Sequence, residues 1–164
     1  MRGGFEEPFY KAPTESELGE IRFTKDYISS AMHEVAHWCV AGAERRKKDD
    51  FDYWYVPDGR NEEQQKVFFE VEVVPQAYEL CLSLAGGIQF NISADNLGGK
   101  EVSMARFKNE VFQKTEELLD KGLRSRARQF VEALQLKFEK PKPKSLDTAL
   151  LMKQFKECYR QREY

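Results

Sequence analysis

Histidine, cysteine and long apolar runs are all scarce in this chain of 164 residues. Its apolar runs fall short of the roughly 20 residues of a membrane span, and its N-terminus, MRGGFEEPFY, lacks the apolar stretch of a secretory leader. We therefore expect a cytoplasmic protein without a membrane partner. The three cysteines are far apart and form no C-x-x-C pair, which predicts reduced thiols and excludes a disulfide framework.

The charges are distributed unevenly, although the net charge is only −2. Residues 1–99 hold 10 basic and 18 acidic side chains, a net of −8, whereas residues 100–164 hold 16 basic and 10 acidic, a net of +6. One interpretation is ordinary solvated faces; the other is a cation-attracting pocket in the first part and a basic docking surface in the second. The basic part contains no RNA-binding motif, so we expect no direct contact with nucleic acid.

The hydrophobic pattern predicts an α+β fold, a helix-rich single domain over 1–164 with a small sheet, in which 100–164 form a helical, basic C-terminal portion. Strands are predicted within 5–24 and at 51–56, the second followed by a turn at 57–60. Helices are predicted at about 25–41, 75–85, 103–121, 125–139 and from 145 onward. The segment VFFEVEVVPQ, residues 67–76, fits a strand by composition and a helix by its neighbours, and Pro75 is expected to start or kink a helix.

Both histidines fall in the helix predicted at 25–41, in the stretch SSAMHEVAHWCVAG. Thr24 or Asp26 is expected to cap its start, and Gly42 to end it. The 3.6-residue period predicts a core face made of Ile28, Met32, Val35 and Cys39.

His33 and His37 are four residues apart, so on a helix their rings face the same way and lie close enough to bind one cation. Glu34 stands roughly 100° round the helix from His33, where it can orient a water or substrate beside the metal without being a ligand. This is the His-Glu-x-x-His arrangement of metal sites. The competing interpretation, a chance pair of histidines, is weakened because the chain contains no others.

Two imidazoles do not hold a catalytic metal, and a third protein ligand is expected, usually a carboxylate. Val40 and Ala43 stand where a metzincin would have glycine and histidine, so that class is excluded. Glu72 is the best candidate, because a carboxylate within an apolar stretch is costly unless it is paired or ligated. Glu70 and Glu79 are the alternatives.

The types of the ligands do not determine which metal is bound. Two histidines and a glutamate suit Fe(II) in an oxygenase, with dioxygen as co-substrate, and equally suit Zn(II) in a metallopeptidase. In the peptidase, Glu34 would be the catalytic base that activates water. A third alternative is a closed metal site that only braces the fold.

Four segments, SAMHEVAHWCVAG, DFDYWYVPDGR, FFEVEVVPQA and GIQFNISADNLGG, follow one another between residues 7 and 99. His-Glu-x-x-His alone is common, but HExxHWCxAG followed by YWYxPDGR and VEVxPQA is specific. By these motifs the chain resembles the elongation factor P hydroxylase family. The resemblance implies a bacterial cytosolic hydroxylase that modifies the lysine of elongation factor P already bearing a β-lysyl group, without the double-stranded β-helix of most iron hydroxylases.

The resemblance also implies a ligand set. His33 and His37 match the two histidine ligands, Glu72 matches the glutamate of VEVxPQA, and Glu34 matches the second position of HExxH. It further implies a segment that precedes residue 1, and it gives no role to the residues after 99.

A lysine that bears a second lysine is a flexible cationic arm, which the acidic part of the chain would attract. Asp58 and Asp95 are predicted to hold its ammonium groups, and Arg60 to pair with either aspartate. The alternative for both aspartates is simple turn formation, which Asp favours. The predicted partner is thus elongation factor P as a protein substrate.

Overall fold

The first 24 residues form a three-stranded sheet in the computed structural model, which describes residues 1–52, 62–93, 101–138 and 147–160. Its strands are β1 (Arg2–Phe5), β2 (Phe9–Lys11) and β3 (Glu20–Thr24), in the order β1-β3-β2. Strand β1 pairs with β3 in parallel, and β2 pairs with β3 antiparallel. The short strands predicted within 5–24, including EIRFT, are therefore confirmed.

The outer edge of β2 is bonded to carboxylates of the 3-10 turn Asp49–Asp52. The backbone N–H groups of Tyr10 and Ala12 donate to Asp50 Oδ1 and Asp49 Oδ1, each at 2.8 Å. Since an open sheet edge offers unpaired N–H groups, these carboxylates satisfy donors that a further strand would otherwise take. Phe51 belongs to this turn, so the strand predicted at 51–56 is wrong at its start; residues 53–56 lie outside the described ranges.

Helix α1 (Ile28–Val40) packs on the sheet and contains the two histidines. It begins three residues later than predicted, because β3 runs through Thr24 and Lys25 takes a positive φ of 45° in the turn that follows. The extended residue Tyr27 is the N-cap, so the caps predicted at Thr24 or Asp26 are wrong, whereas the helix ends at Val40 with Ala41 as its C-cap, directly before Gly42. Of the predicted core face, Met32, Val35 and Cys39 are buried, but Ile28 in the first turn is 58% exposed.

Helix α2 (Glu62–Gly86) decides the ambiguous segment: all of VFFEVEVVPQ is helical. Pro75 lies inside this helix, so of the two alternatives predicted for it the start of a helix is wrong, and a kink stays a prediction. The helix tolerates a proline and many β-branched residues because it is the central element of the core, packed against α1 and the C-terminal helices. Ala77, Leu80 and Cys81 on its buried side are fully enclosed.

Helices α3 (Glu101–Lys121), α4 (Ser125–Phe138) and α5 (Thr148–Phe155) follow, close to the predicted ranges. They complete a core in which Phe112, Phe155 and Tyr159 meet ring to ring. The predicted α+β class, rich in helix with a small sheet, is confirmed. None of the helices in the described segments combines the length and the apolar character needed to cross a membrane.

Candidate metal centre

Two packed helices bring together the three side chains that the sequence singles out as metal ligands. His33 and His37 lie one turn apart on α1 with their Nε2 atoms 3.1 Å from each other. Glu72, on the facing side of α2, places Oε1 3.3 Å from His37 Nε2 and Oε2 3.9 Å from His33 Nε2. One donor atom from each residue lies within 4.8 Å of the others, so the three could hold a metal ion.

Two of the three separations match the spacing of ligands around one ion. At metal–ligand distances of about 2.1 Å, two ligands at a right angle are about 3.0 Å apart and two at the tetrahedral angle about 3.4 Å. Of the observed separations, 3.1 and 3.3 Å fall between these two values, whereas the 3.9 Å from His33 Nε2 runs to the other oxygen of Glu72 and exceeds both. The donor set therefore fits a first-row metal, and its spacing suits zinc and iron alike.

A second carboxylate orients one of the histidines. Glu79 Oε2 lies 2.8 Å from His33 Nδ1, and because a carboxylate only accepts, that nitrogen carries the proton. Nε2 of the neutral ring is then the atom with a free lone pair, and it faces His37 and Glu72. Glu79, which the sequence offered as an alternative third ligand, thus bonds to the far side of the His33 ring instead. Glu70, the other alternative, is exposed and lies outside the cluster.

The pKa of His33 reflects these carboxylates. Burial lowers it, but the hydrogen bond to Glu79 and the negative charges of Glu79 and Glu72 outweigh burial and raise it to about 9. Without a bound cation the ring is therefore protonated at neutral pH. A metal ion would take the place of that positive charge.

Glu72 is only 2% exposed, and its surroundings still favour the ionised form. Burial raises the pKa of Glu72, but the hydrogen bond and charge of His37, the charge of His33 and the amide of Gln76 together lower it below its usual value. A buried carboxylate that stays charged next to two imidazoles is an oxygen ligand ready for a cation.

Glu34 lies beside this cluster, as its position in the motif predicts. Burial raises its pKa, the two histidines oppose that shift, and Asp50 and Glu72 add to it. Three carboxylates, those of Glu34, Glu72 and Glu79, act on His33, and a fourth, that of Asp50, acts on Glu34, so acidic groups outnumber the two imidazoles in this neighbourhood. A negative pocket favours a cation, whether a metal ion or an ammonium group.

The residues predicted to bind substrate, Asp58, Arg60 and Asp95, lie outside the described ranges. Sequence reasoning missed one relevant residue, Gln76, and assigned Glu79 only as a rival ligand. A signal existed: Glu72, Gln76, Glu79 and Ser83 repeat at i, i+4, i+7 and i+11 within an otherwise apolar segment, and all four are at most 5% exposed. Such a buried polar stripe on one helix face marks a site rather than a core.

The comparisons with known proteins point to one family. The family described as elongation factor P hydroxylase matches residues 1–148, well beyond the end of the motif resemblance at residue 99. The elongation factor P lysine hydroxylase of Haemophilus influenzae is 46% identical over 134 residues, which cover 82% of this chain and 75% of that protein. With two histidines and a glutamate gathered at the helix that bears the HExxH motif, this chain belongs to the elongation factor P hydroxylase family.

Proposed function

We propose that this protein hydroxylates the β-lysylated lysine side chain of elongation factor P, with a metal ion held by His33, His37 and Glu72. The observation that carries the proposal is the convergence of these donors between α1 and α2 in a chain of the hydroxylase family. The name of its relative in Haemophilus influenzae, a lysine hydroxylase of elongation factor P, supplies the substrate.

Iron(II) is the metal we assign, with dioxygen as co-substrate. Insertion of one atom of dioxygen into a C–H bond of the lysine side chain is an oxidation, and the second oxygen atom leaves as water after taking two electrons and two protons from a two-electron reductant, which the reaction also requires. A bound iron ion would supply the redox chemistry that zinc lacks. An iron ion held by these two histidines and one carboxylate would keep coordination positions open for dioxygen. Glu79 accepts the hydrogen bond from His33 Nδ1, and we assign to Glu34, which lies near both histidines, the role of holding a proton or a polar substrate atom.

The charge around the site supports a cationic substrate. The modified lysine is a long arm that ends in ammonium groups, and Glu34 and Asp50 contribute negative charge next to the ligands. Asp58 and Asp95, with Arg60 as a pairing partner, remain our predictions for direct contacts to that arm.

We also propose that residues 1–164 act as one domain. Helices α3 and α4 both pack against α2, the helix that holds Glu72. Helices α3 and α4 of the basic C-terminal portion therefore support the helix that holds Glu72, in addition to any role of that portion in docking elongation factor P.

The proposal is tested by metal analysis of the protein purified without added metal, followed by mass spectrometry of β-lysylated elongation factor P. We expect iron and an oxygen-dependent mass gain of one oxygen atom. Glu72→Ala should lose both the iron and the mass gain, whereas Glu70→Ala, an exposed carboxylate on the same helix, should keep both.

The opposite results have defined meanings. A Glu72→Ala variant that retains iron and activity shows that the ligand assignment is wrong. Bound zinc, with peptide cleavage that disappears in Glu34→Gln, establishes a metallopeptidase instead. Circular dichroism of each variant verifies that its helices are intact.

A further inference from the structure

We propose that Gln76 is a positioning residue that fixes the carboxylate of Glu72 at the metal centre and ties it to the backbone at Ser93. The inference deepens the proposed function, because it takes Glu72 as a metal ligand. It concerns how that ligand is held, which neither the family description nor the motif assigns.

The side chain of Gln76 is completely buried in the middle of α2. Its Oε1 accepts from the backbone N–H of Ser93 at 3.2 Å, and its Nε2 donates to the backbone carbonyl of Ser93 at 2.6 Å. The same Nε2 donates to Glu72 Oε2 at 3.4 Å, the longest of these contacts. A buried amide is costly unless it is bonded, and this one uses both N–H groups and its oxygen.

The backbone of Ser93 determines which end of the amide faces Glu72. A backbone N–H can only donate and a carbonyl can only accept, so the oxygen and nitrogen of Gln76 cannot be exchanged. With one N–H on the Ser93 carbonyl, the second N–H on the same nitrogen faces Oε2 of Glu72. The pair of hydrogen bonds between Gln76 and the backbone of Ser93 thus directs an N–H donor toward the carboxylate of Glu72.

That donor restrains the carboxylate of Glu72 in the orientation its ligand role needs. Oε1 of Glu72 faces His37, and Oε2 is shared between His33 and the amide of Gln76. The side chain of Glu72 has three rotatable bonds. Without the amide of Gln76, its buried carboxylate loses one of the contacts that hold it in place. Partners that orient metal ligands in this way typically contribute 10-fold to 100-fold in metal affinity.

The chain contains a matched control in Gln135 on α4. This glutamine is equally buried and makes the same pair of bonds, with Nε2 donating to the Asp147 carbonyl at 3.0 Å and Oε1 accepting from the Asp147 N–H at 2.9 Å. Methionine has nearly the shape of glutamine and no amide. Gln76→Met and Gln135→Met therefore remove equivalent bonds to the backbone, but only the first removes a contact to Glu72.

The experiment titrates the metal-free protein and both variants with Co(II), a probe whose visible absorption reports the ligand geometry, in competition with a chelator. Gln76→Met should bind Co(II) about tenfold more weakly, or weaker still, with an altered absorption spectrum. Gln135→Met should match the wild type in affinity and spectrum, even though both variants unfold at lower denaturant concentration.

Two results overturn the inference: wild-type affinity and spectrum in Gln76→Met, or an equal loss of affinity in Gln135→Met. If Gln76→Met does not fold, Gln76→Asn keeps a buried amide but draws it back from Glu72, and the same criteria apply to it. If the wild type itself binds no Co(II), the proposed function fails. If the wild type binds and the Gln76 variant binds equally well, only the role of Gln76 fails.

Discussion

Removal of the Glu79 carboxylate should weaken metal binding without removing a ligand. Glu79 accepts a hydrogen bond from His33 Nδ1 at 2.8 Å, deep between α1 and α2. A hydrogen bond to a charged group contributes about 1.5–3 kcal/mol, which corresponds to about a 10-fold to 150-fold change in an equilibrium constant. The effect of orienting partners on metal affinity, about 10-fold to 100-fold, falls in the same range.

Glu79→Ala should therefore weaken metal binding by one to two orders of magnitude. Glu79→Gln keeps an acceptor oxygen but no charge, and since neutral hydrogen bonds contribute about 0.5–1.5 kcal/mol, it should lose only part of that affinity. The assay is competition with a chelator of known affinity at a fixed pH above 9, where the His33 ring is deprotonated in the wild type and proton competition does not differ between the variants. Glu70→Gln, which alters an exposed carboxylate of the same helix, is the control.

The order wild type, Glu79→Gln, Glu79→Ala is the signature of an orienting hydrogen bond. Unchanged affinity in Glu79→Ala would show that the ring of His33 is held without this carboxylate. Complete loss of metal in Glu79→Gln would show instead that Glu79 is itself a ligand, so the reasoning from Nδ1 would be refuted.

Two further predictions concern stability. The pKa of His33 is about 9 in the folded metal-free chain and 6.5 in the reference state, so the protonated ring stabilises the fold fully below pH 6.5, and this contribution is lost as pH rises through about 9. The thermal midpoint of metal-free protein should fall over that interval more in the wild type than in His33→Gln. In the core, Phe155→Ala should lower the free energy of unfolding by about 3–5 kcal/mol, because this fully buried ring contacts Phe112. Phe138→Ala, at a ring 56% exposed, should change it by about 0.5 kcal/mol or less; equal effects in urea denaturation would contradict the burial argument.

The candidate metal ligands could be identified from the sequence. Four-residue spacing places His33 and His37 on one helix face whatever the rest of the fold, because the α-helix repeats every 3.6 residues. A glutamate in an apolar stretch needs a partner, and this singled out Glu72 as the best of three candidates. The motifs named the family, which the comparisons confirm.

The boundaries and the secondary structure of several segments could not be predicted from the sequence. VFFEVEVVPQ has the composition of a strand, and its helix is imposed by packing in the centre of the core. Ile28 follows the helical period but is 58% exposed in the first turn of α1. The helical period identifies which residues share a face of the helix. It does not show how much of that face a neighbouring element covers.

The sequence by itself determined which side chains can bind a metal and that two of them share a helix face, since both follow from residue type and helical repeat. Only the tertiary structure decided that Glu79 orients His33 while Glu72 completes the cluster, and that Gln76 joins Glu72 to Ser93. Those roles depend on distances between helices that are far apart in the chain, and no local pattern encodes such distances.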